Sequence, residues 1–170
     1  MRETITYRPG TLEDSYAVFL VLEEAIADLL PRLGIQGETS FANPEKLAKM
    51  WEYRRPLLDH LARTAEHFWV AEQDGQVVGF ARSVFHDGMR ELTEFFVKPG
   101  VQSGGVGHGL FGRVFPSAGA DRRAIIATTD LRAQARYLKS GVYPRFPIMY
   151  FEKEPEPVTI AADLGFQSIT

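Results

Sequence analysis

Glu94-Phe-Phe-Val-Lys-Pro-Gly-Val-Gln-Ser-Gly-Gly105, continuing as Val106-Gly107-His108-Gly109-Leu110-Phe111, decides how this chain is read. An apolar strand runs into Pro99-Gly100, crosses a loop dense in glycine and opens a helix. Such a junction aims bare backbone N–H groups outward at a helix N-terminus, where an anion such as a pyrophosphate is held. Glycine reaches φ > 0 without a Cβ clash and lets a ligand come close to the backbone. The implied ligand is a phosphate-bearing small molecule.

Two familiar phosphate loops are excluded. No Gly-Lys-Ser/Thr follows the glycines, so the Walker pattern is absent. Gly105, Gly107 and Gly109 alternate, but no acidic residue closes a second parallel strand about twenty residues on, as a dinucleotide fold needs. Gln102-x-x-Gly105-x-Gly107, placed five residues after Val97, instead resembles motif A (Q/R-x-x-G-x-G/A) of the GNAT superfamily of acyl-CoA-dependent N-acyltransferases. Asp130-Leu-Arg-Ala133-Gln-Ala-Arg-Tyr137-Leu-Lys-Ser-Gly141-Val142 resembles its motif B, N-x-x-A-x-x-x-Y-x-x-x-G-F. The resemblance spans roughly Ile5 to Phe151. The chain departs from the pattern at Asp130 (usually Asn or Ser), at Val142 (usually Phe) and at Gly104, where many members carry Arg or Lys. The run Tyr143-Pro-Arg-Phe-Pro147 interrupts the segment where the last strands are expected.

The 170 residues suit one domain with a proper core. Hydrophobic content of 45% and charged content of 24% are those of a soluble globular protein. No apolar run approaches the ~18 residues that span a bilayer, and the N-terminus lacks the apolar core of a signal peptide. The absence of cysteine removes disulfides, thiolate ligands and a cysteine nucleophile. A cytoplasmic location is expected, with no membrane partner. A net charge of −3 with no dominant basic face argues against nucleic acid. His60, His67, His86 and His108 are too scattered for a metal site, so none is expected.

Ile5 to Arg8 alternates as a short strand before Pro9-Gly10. Thr11 and Asp14 start a helix with Tyr16, Phe19, Leu20, Ile26, Leu29 and Leu30 near one face, stopping before Pro31 or by Gly34. Pro44 opens a second helix through about Arg63, with a kink or break expected at Pro56. His67–Gln73 and Gln76–Phe85 form a hairpin about Asp74-Gly75, and Met89–Val97 follows as a third strand. A helix is expected over about Gly105–Phe115, a buried strand over Arg122–Thr128, a helix over Asp130–Ser140 closed by Gly141, and a last strand over Phe146–Phe151. The order βααβββαβαβ gives an α+β fold, a mixed and mostly antiparallel sheet flanked by helices, as the resemblance also implies. Residues 1–152 form the domain. Residues 153–170 form a Pro-rich linker and an apolar tail, expected to pack on a sheet edge or on a second subunit in a homodimer.

The resemblance implies an N-acetyltransferase that carries an acetyl group from acetyl-CoA directly to a primary amine. The pyrophosphate would meet the backbone N–H groups of Ser103, Gly104, Gly105, Val106, Gly107 and His108 and the Gln102 side chain, with Asp130 and Ala133 also on the cofactor. Pantetheine would lie between residues 94–97 and 122–128. A bulged strand would offer the N–H of Phe96 or Val97 to the thioester carbonyl. Tyr137 would protonate the leaving thiolate, and Glu94 would draw a proton from the amine through water. Glu91, His86 and Glu72 stay open as alternative bases. The acceptor is a small-molecule or peptide amine of unspecified kind. The alternative is a non-catalytic acyl-CoA-binding module.

Overall fold

The computed structural model describes residues 4–101 and 105–149. Five strands lie side by side in chain order: β1 (Ile5–Pro9), β2 (His67–Gln73), β3 (Gln76–His86), β4 (Met89–Val97) and β5 (Arg122–Ile125). The first four pair antiparallel, and β5 joins β4 in parallel. Both hairpin turns carry successive positive φ angles, at Asp74-Gly75 and Asp87-Gly88, the geometry that matches the twist of the flanking strands.

Two helices cover one face of the sheet. α1 (Ser15–Arg32) follows a short 3₁₀ turn over Leu12–Asp14, where the Thr11 N–H donates to Asp14 Oδ2 at 2.8 Å. Val18, Phe19, Val21, Leu22 and Ala25 are buried, and Val18, Val21 and Leu22 of these pack with Phe68, Val70 and Phe80. Tyr16, expected on one face with Phe19 and Leu20, is 50% exposed and instead stacks edge-on with Trp51 of the next helix. α2 (Pro44–Thr64) runs through Pro56 without a break. Of the expected kink or break, the break is absent; Pro56 and Glu52 both lie on an exposed face, where a carbonyl left without its helix donor can meet water.

The opposite face is covered by α3 (Val106–Val114), whose Val106, Leu110, Phe111 and Val114 pack on Ala71, Ala81, Leu92 and Val97. Gly109 allows this approach, since a Cβ there would overlap the Tyr7 phenol. α4 (Leu131–Lys139) follows β5 and ends, as expected, at Gly141 with φ +80°.

Two expectations at the C-terminal side are corrected. The buried strand Arg122–Thr128 stops at Ile125, and Ile126 is 72% exposed. Residues 146–149 form no strand, and 150–151 lie outside the described residues. The prolines at 144 and 147 remove the N–H donors that a ladder needs there. The tail, with its proposed linker and docking role, also lies outside the described residues. Among the described residues no helix is long and apolar enough to cross a membrane.

Candidate active site

A β-bulge makes the site. Arg82 pairs with Glu94 but the next residue, Ser83, pairs with Leu92, so Thr93 is an extra residue in β4. Along a regular strand, residues an odd number apart take opposite faces. The bulge cancels this between Leu92 and Phe95, and both pack on the α3 face. Glu94 is thereby turned to the α1–α2 face.

The same point ends the parallel pairing. β4 and β5 stay together only as far as Leu92 opposite Ile125. Beyond it they part, and a cavity of about 180 Å³ opens between residues 93–97 and 125–128. Ala25, Leu29 and Arg32 of α1 and Ala133 and Tyr137 of α4 complete its wall. A second cavity of about 200 Å³ shares Phe95, Val97, Asp130, Ala133 and Tyr137, and reaches Gly107, Arg132 and Arg136. Together they form a cleft from the α1 side of the sheet to the N-terminal end of α3.

Backbone direction inside the cleft follows from the ladder. The Lys98 N–H donates to the Val78 carbonyl at 2.9 Å, so the N–H groups of Phe96 and Glu94 also turn toward β3. Those of Phe95 and Val97 point the other way, to the side where β5 has departed. Phe96 is therefore corrected as a carbonyl-binding amide. Val97 keeps that orientation, and Phe95, which sequence reasoning missed, joins it.

At the glycine loop, Gln102, Ser103 and Gly104 lie outside the described residues. Gly105 caps α3 with φ +83°, a conformation that favours glycine, and Val106 and Gly107 are buried behind it. The expected role of the His108 amide is corrected, since it donates to the Gly105 carbonyl at 2.9 Å. A Cβ on Gly107 would press on Phe95 and on the Arg136 guanidinium, 3.3 Å from Nη2. Arg136 thus brings a cation beside the start of α3.

Tyr137 lines both cavities and packs on Phe111, with ring centroids 6.1 Å apart. Burial pushes its phenol above the ordinary value of 10.0, and nearby Arg136 partly opposes this. Glu94 is 11% exposed and lines the first cavity. Burial raises its carboxyl as well, against the pull of Arg82 and Arg54. Arg82 Nη1 donates to Glu94 Oε2 at 2.9 Å.

Asp130 caps α4 by accepting from the Arg132 N–H at 2.9 Å, while its other oxygen accepts from Arg32 Nη1 at 2.9 Å. It lines the cleft while tying α4 to the end of α1. The alternative bases do not line either of these two cavities. Glu72 accepts from Arg8, His86 lies with Asp87 at the far end of β3, and Glu91 does not line either cavity. Arg82 was legible only as an arginine inside the run Val77-Val-Gly-Phe-Ala-Arg-Ser-Val84, and Arg32 and Arg136 carried no distinguishing signal.

Residues 64–142 match the model of the acetyltransferase (GNAT) domain. The fold is also that of solved acetyltransferases. A GCN5-related N-acetyltransferase from Ralstonia eutropha JMP134 is 20% identical, over 88% of this chain and 99% of that one, with a TM-score of 0.62. An aminoglycoside N-acetyltransferase in complex with CoA is 15% identical over 90% and 97%, at 0.56. A predicted acetyltransferase with acetyl-CoA from Clostridium acetobutylicum is 16% identical over 88% and 96%, at 0.55. No relative among curated proteins matches the chain. Residues 64–142 thus resemble a GNAT acetyltransferase domain, and the fold is shared with solved acetyltransferases.

Proposed function

We propose that the protein is an N-acetyltransferase that moves an acetyl group from acetyl-CoA to a primary amine by direct transfer. The observation that carries this reading is the gap between β4 and β5, with Glu94 and Tyr137 lining one cavity. The residues present suit CoA. The gap accepts an extended pantetheine arm, and Arg136 with the start of α3 offers charge and N–H donors to phosphate. Acetyl-CoA supplies the activated acyl group, and the remaining work falls to the chain.

Glu94 takes a proton from the incoming ammonium through water, freeing the nitrogen lone pair. A carboxyl raised by burial is better matched to this task than an ordinary one. The Phe95 N–H, turned into the cleft, meets the charge that gathers on the carbonyl oxygen. As the nitrogen–carbon bond forms and the carbon–sulfur bond breaks, Tyr137 gives its proton to the sulfur, and the second proton lost by the nitrogen passes through water to restore the phenol. A phenol pushed up by burial is protonated at neutral pH, as an acid must be. The acceptor is a small amine that reaches Glu94 from the α1 side, where Ala25 and Leu29 make an apolar wall.

The test is thiol release from acetyl-CoA over a panel of polyamines, amino sugars, amino acids and peptide N-termini. Turnover of at least one class, lost in Glu94→Gln, is expected. CoA binding without turnover of any amine would leave an acyl-CoA-binding module.

A further inference from the structure

Glu94 is not alone in its pocket, and what holds it extends the catalytic reading above, on which this inference rests. Arg82, in the middle of β3, has 0% exposure. Its guanidinium lies 4.0 Å from the centre of the Phe68 ring and 5.5 Å from that of Phe80. Nη1 donates to Glu94 Oε2 at 2.9 Å and to the Leu58 carbonyl at 3.3 Å. Nε and Nη2 find no hydrogen-bond partner among the described residues.

Such a residue is a poor choice for stability. Desolvating a guanidinium is costly, and two unpaired nitrogens add to the cost, so an apolar side chain of similar volume would serve packing better. Its one strong polar contact is the carboxylate that lines the cavity. The bulge at Thr93 is what turns Glu94 toward this arginine.

We infer that Arg82 is a positioning residue for acyl transfer: by holding Oε2 of Glu94 it fixes the carboxylate in one orientation, with Oε1 left to accept the proton at the cavity. The guanidinium charge also favours the ionised form of a carboxyl that burial disfavours. Other charges act on the pair from every side. The charge of Arg54 on α2 also acts on Glu94, and Arg54 is itself paired with Glu23 of α1 at 3.0 Å. Asp14, before α1, and Asp59 of α2 act on Arg82. Arg32, Asp130 and Tyr137 stand around the cavity.

The experiment compares wild type, Arg82→Gln and Arg82→Lys. It reads the pH profile of kcat/KM with acetyl-CoA and the amine that wild type turns over fastest, CoA affinity by calorimetry, and the infrared titration of the Glu94 carboxyl, assigned by its loss in Glu94→Gln. Losing the charge in Arg82→Gln should move the acidic limb and the carboxyl titration up by about one pH unit or more, the scale of a neighbouring opposite charge. Turnover at pH 7 should fall about tenfold or more and recover in part at higher pH, with CoA affinity unchanged. Arg82→Lys, which keeps the charge but not the planar donor, should keep the limb near its wild-type place and lose kcat. In Arg82→Gln, an unmoved limb and titration, or an equal loss at every pH, would overturn the inference. So would the failure of both variants to fold, since the arginine would then serve the scaffold. A wild type that turns over no amine defeats the proposed function instead, while the infrared titration still reports on the pair.

Discussion

Tyr137 is the residue whose chemistry and scaffold roles separate most cleanly. Its ring packs on Phe111 and its hydroxyl is all that Tyr137→Phe removes. That variant should lose about 10²-fold in kcat while binding CoA as wild type does, because proton donation is lost and packing is not. Calorimetry and thiol release on the same preparation decide it, and unchanged turnover would end the acid role. Arg136 raises a different question. Where motif A usually carries a cation this chain has Gly104, and the guanidinium beside Gly107 comes from α4. Arg136→Met should weaken CoA about tenfold, the scale of one charge-assisted hydrogen bond. Tyr137 and Glu94 were legible in the sequence because one falls in motif B and the other just before motif A. Arg82 and Arg136 were not, since their meaning depends on neighbours 12 residues away across a ladder or on another helix.

At the scale of elements, α3 shows how sequence glycines divide between jobs. Gly109 faces β1, and a Cβ would overlap Tyr7, whereas Gly112 has open space around it. Gly109→Ala should therefore lower stability by about 1–3 kcal/mol through overpacking. Gly112→Ala should raise it by up to about 1 kcal/mol through helix propensity. Urea unfolding of the pair tests both signs, and a Gly109→Ala protein as stable as wild type would mean that α3 sits further from β1. The boundaries of β2, β3 and β4 were readable because their apolar runs are punctuated by Asp-Gly turns. The resemblance implied a bulge in this strand but not its place at Thr93, because nothing in Glu91-Leu-Thr-Glu94 marks the residue that the partner strand skips.

For the whole molecule, pH links the ion pairs to folding. Asp14 and Glu66 lie below ordinary carboxylate values because Arg8 and Arg90 donate to them. A depressed carboxylate contributes stability that is fully present above its unfolded value, 4.5 for Glu66, and lost as pH falls through the folded one. Glu94, raised by burial, works in the opposite sense: its contribution is complete below 4.5 and is lost as pH rises through its folded value. The urea midpoint should accordingly decline below about pH 4.5, and Glu66→Gln should flatten that decline. An acid limb identical in Glu66→Gln and wild type would show that this pair does not hold the fold. Glu66 accepts from Arg90 Nε and Nη2, each at 2.7 Å, while Nη1 donates to the carbonyls of Pro116 and Ala118. One buried arginine thereby fastens the loop after α3 to the start of β2.

What the sequence determined by itself was local and periodic. Alternation set the first strand, apolar runs bounded by Asp-Gly set the hairpins, Gly141 stopped α4, and the two motifs with their spacing pointed to the class. Each of these depends on interactions between residues close along the chain. The tertiary structure alone decided where β4 and β5 separate, which face Glu94 takes, which amides turn into the cleft, and which cations meet there. Those outcomes depend on ladder register and on the burial of charges between distant elements. A one-residue slip in register reverses every side chain in a strand, and no local pattern in this chain records where that slip falls.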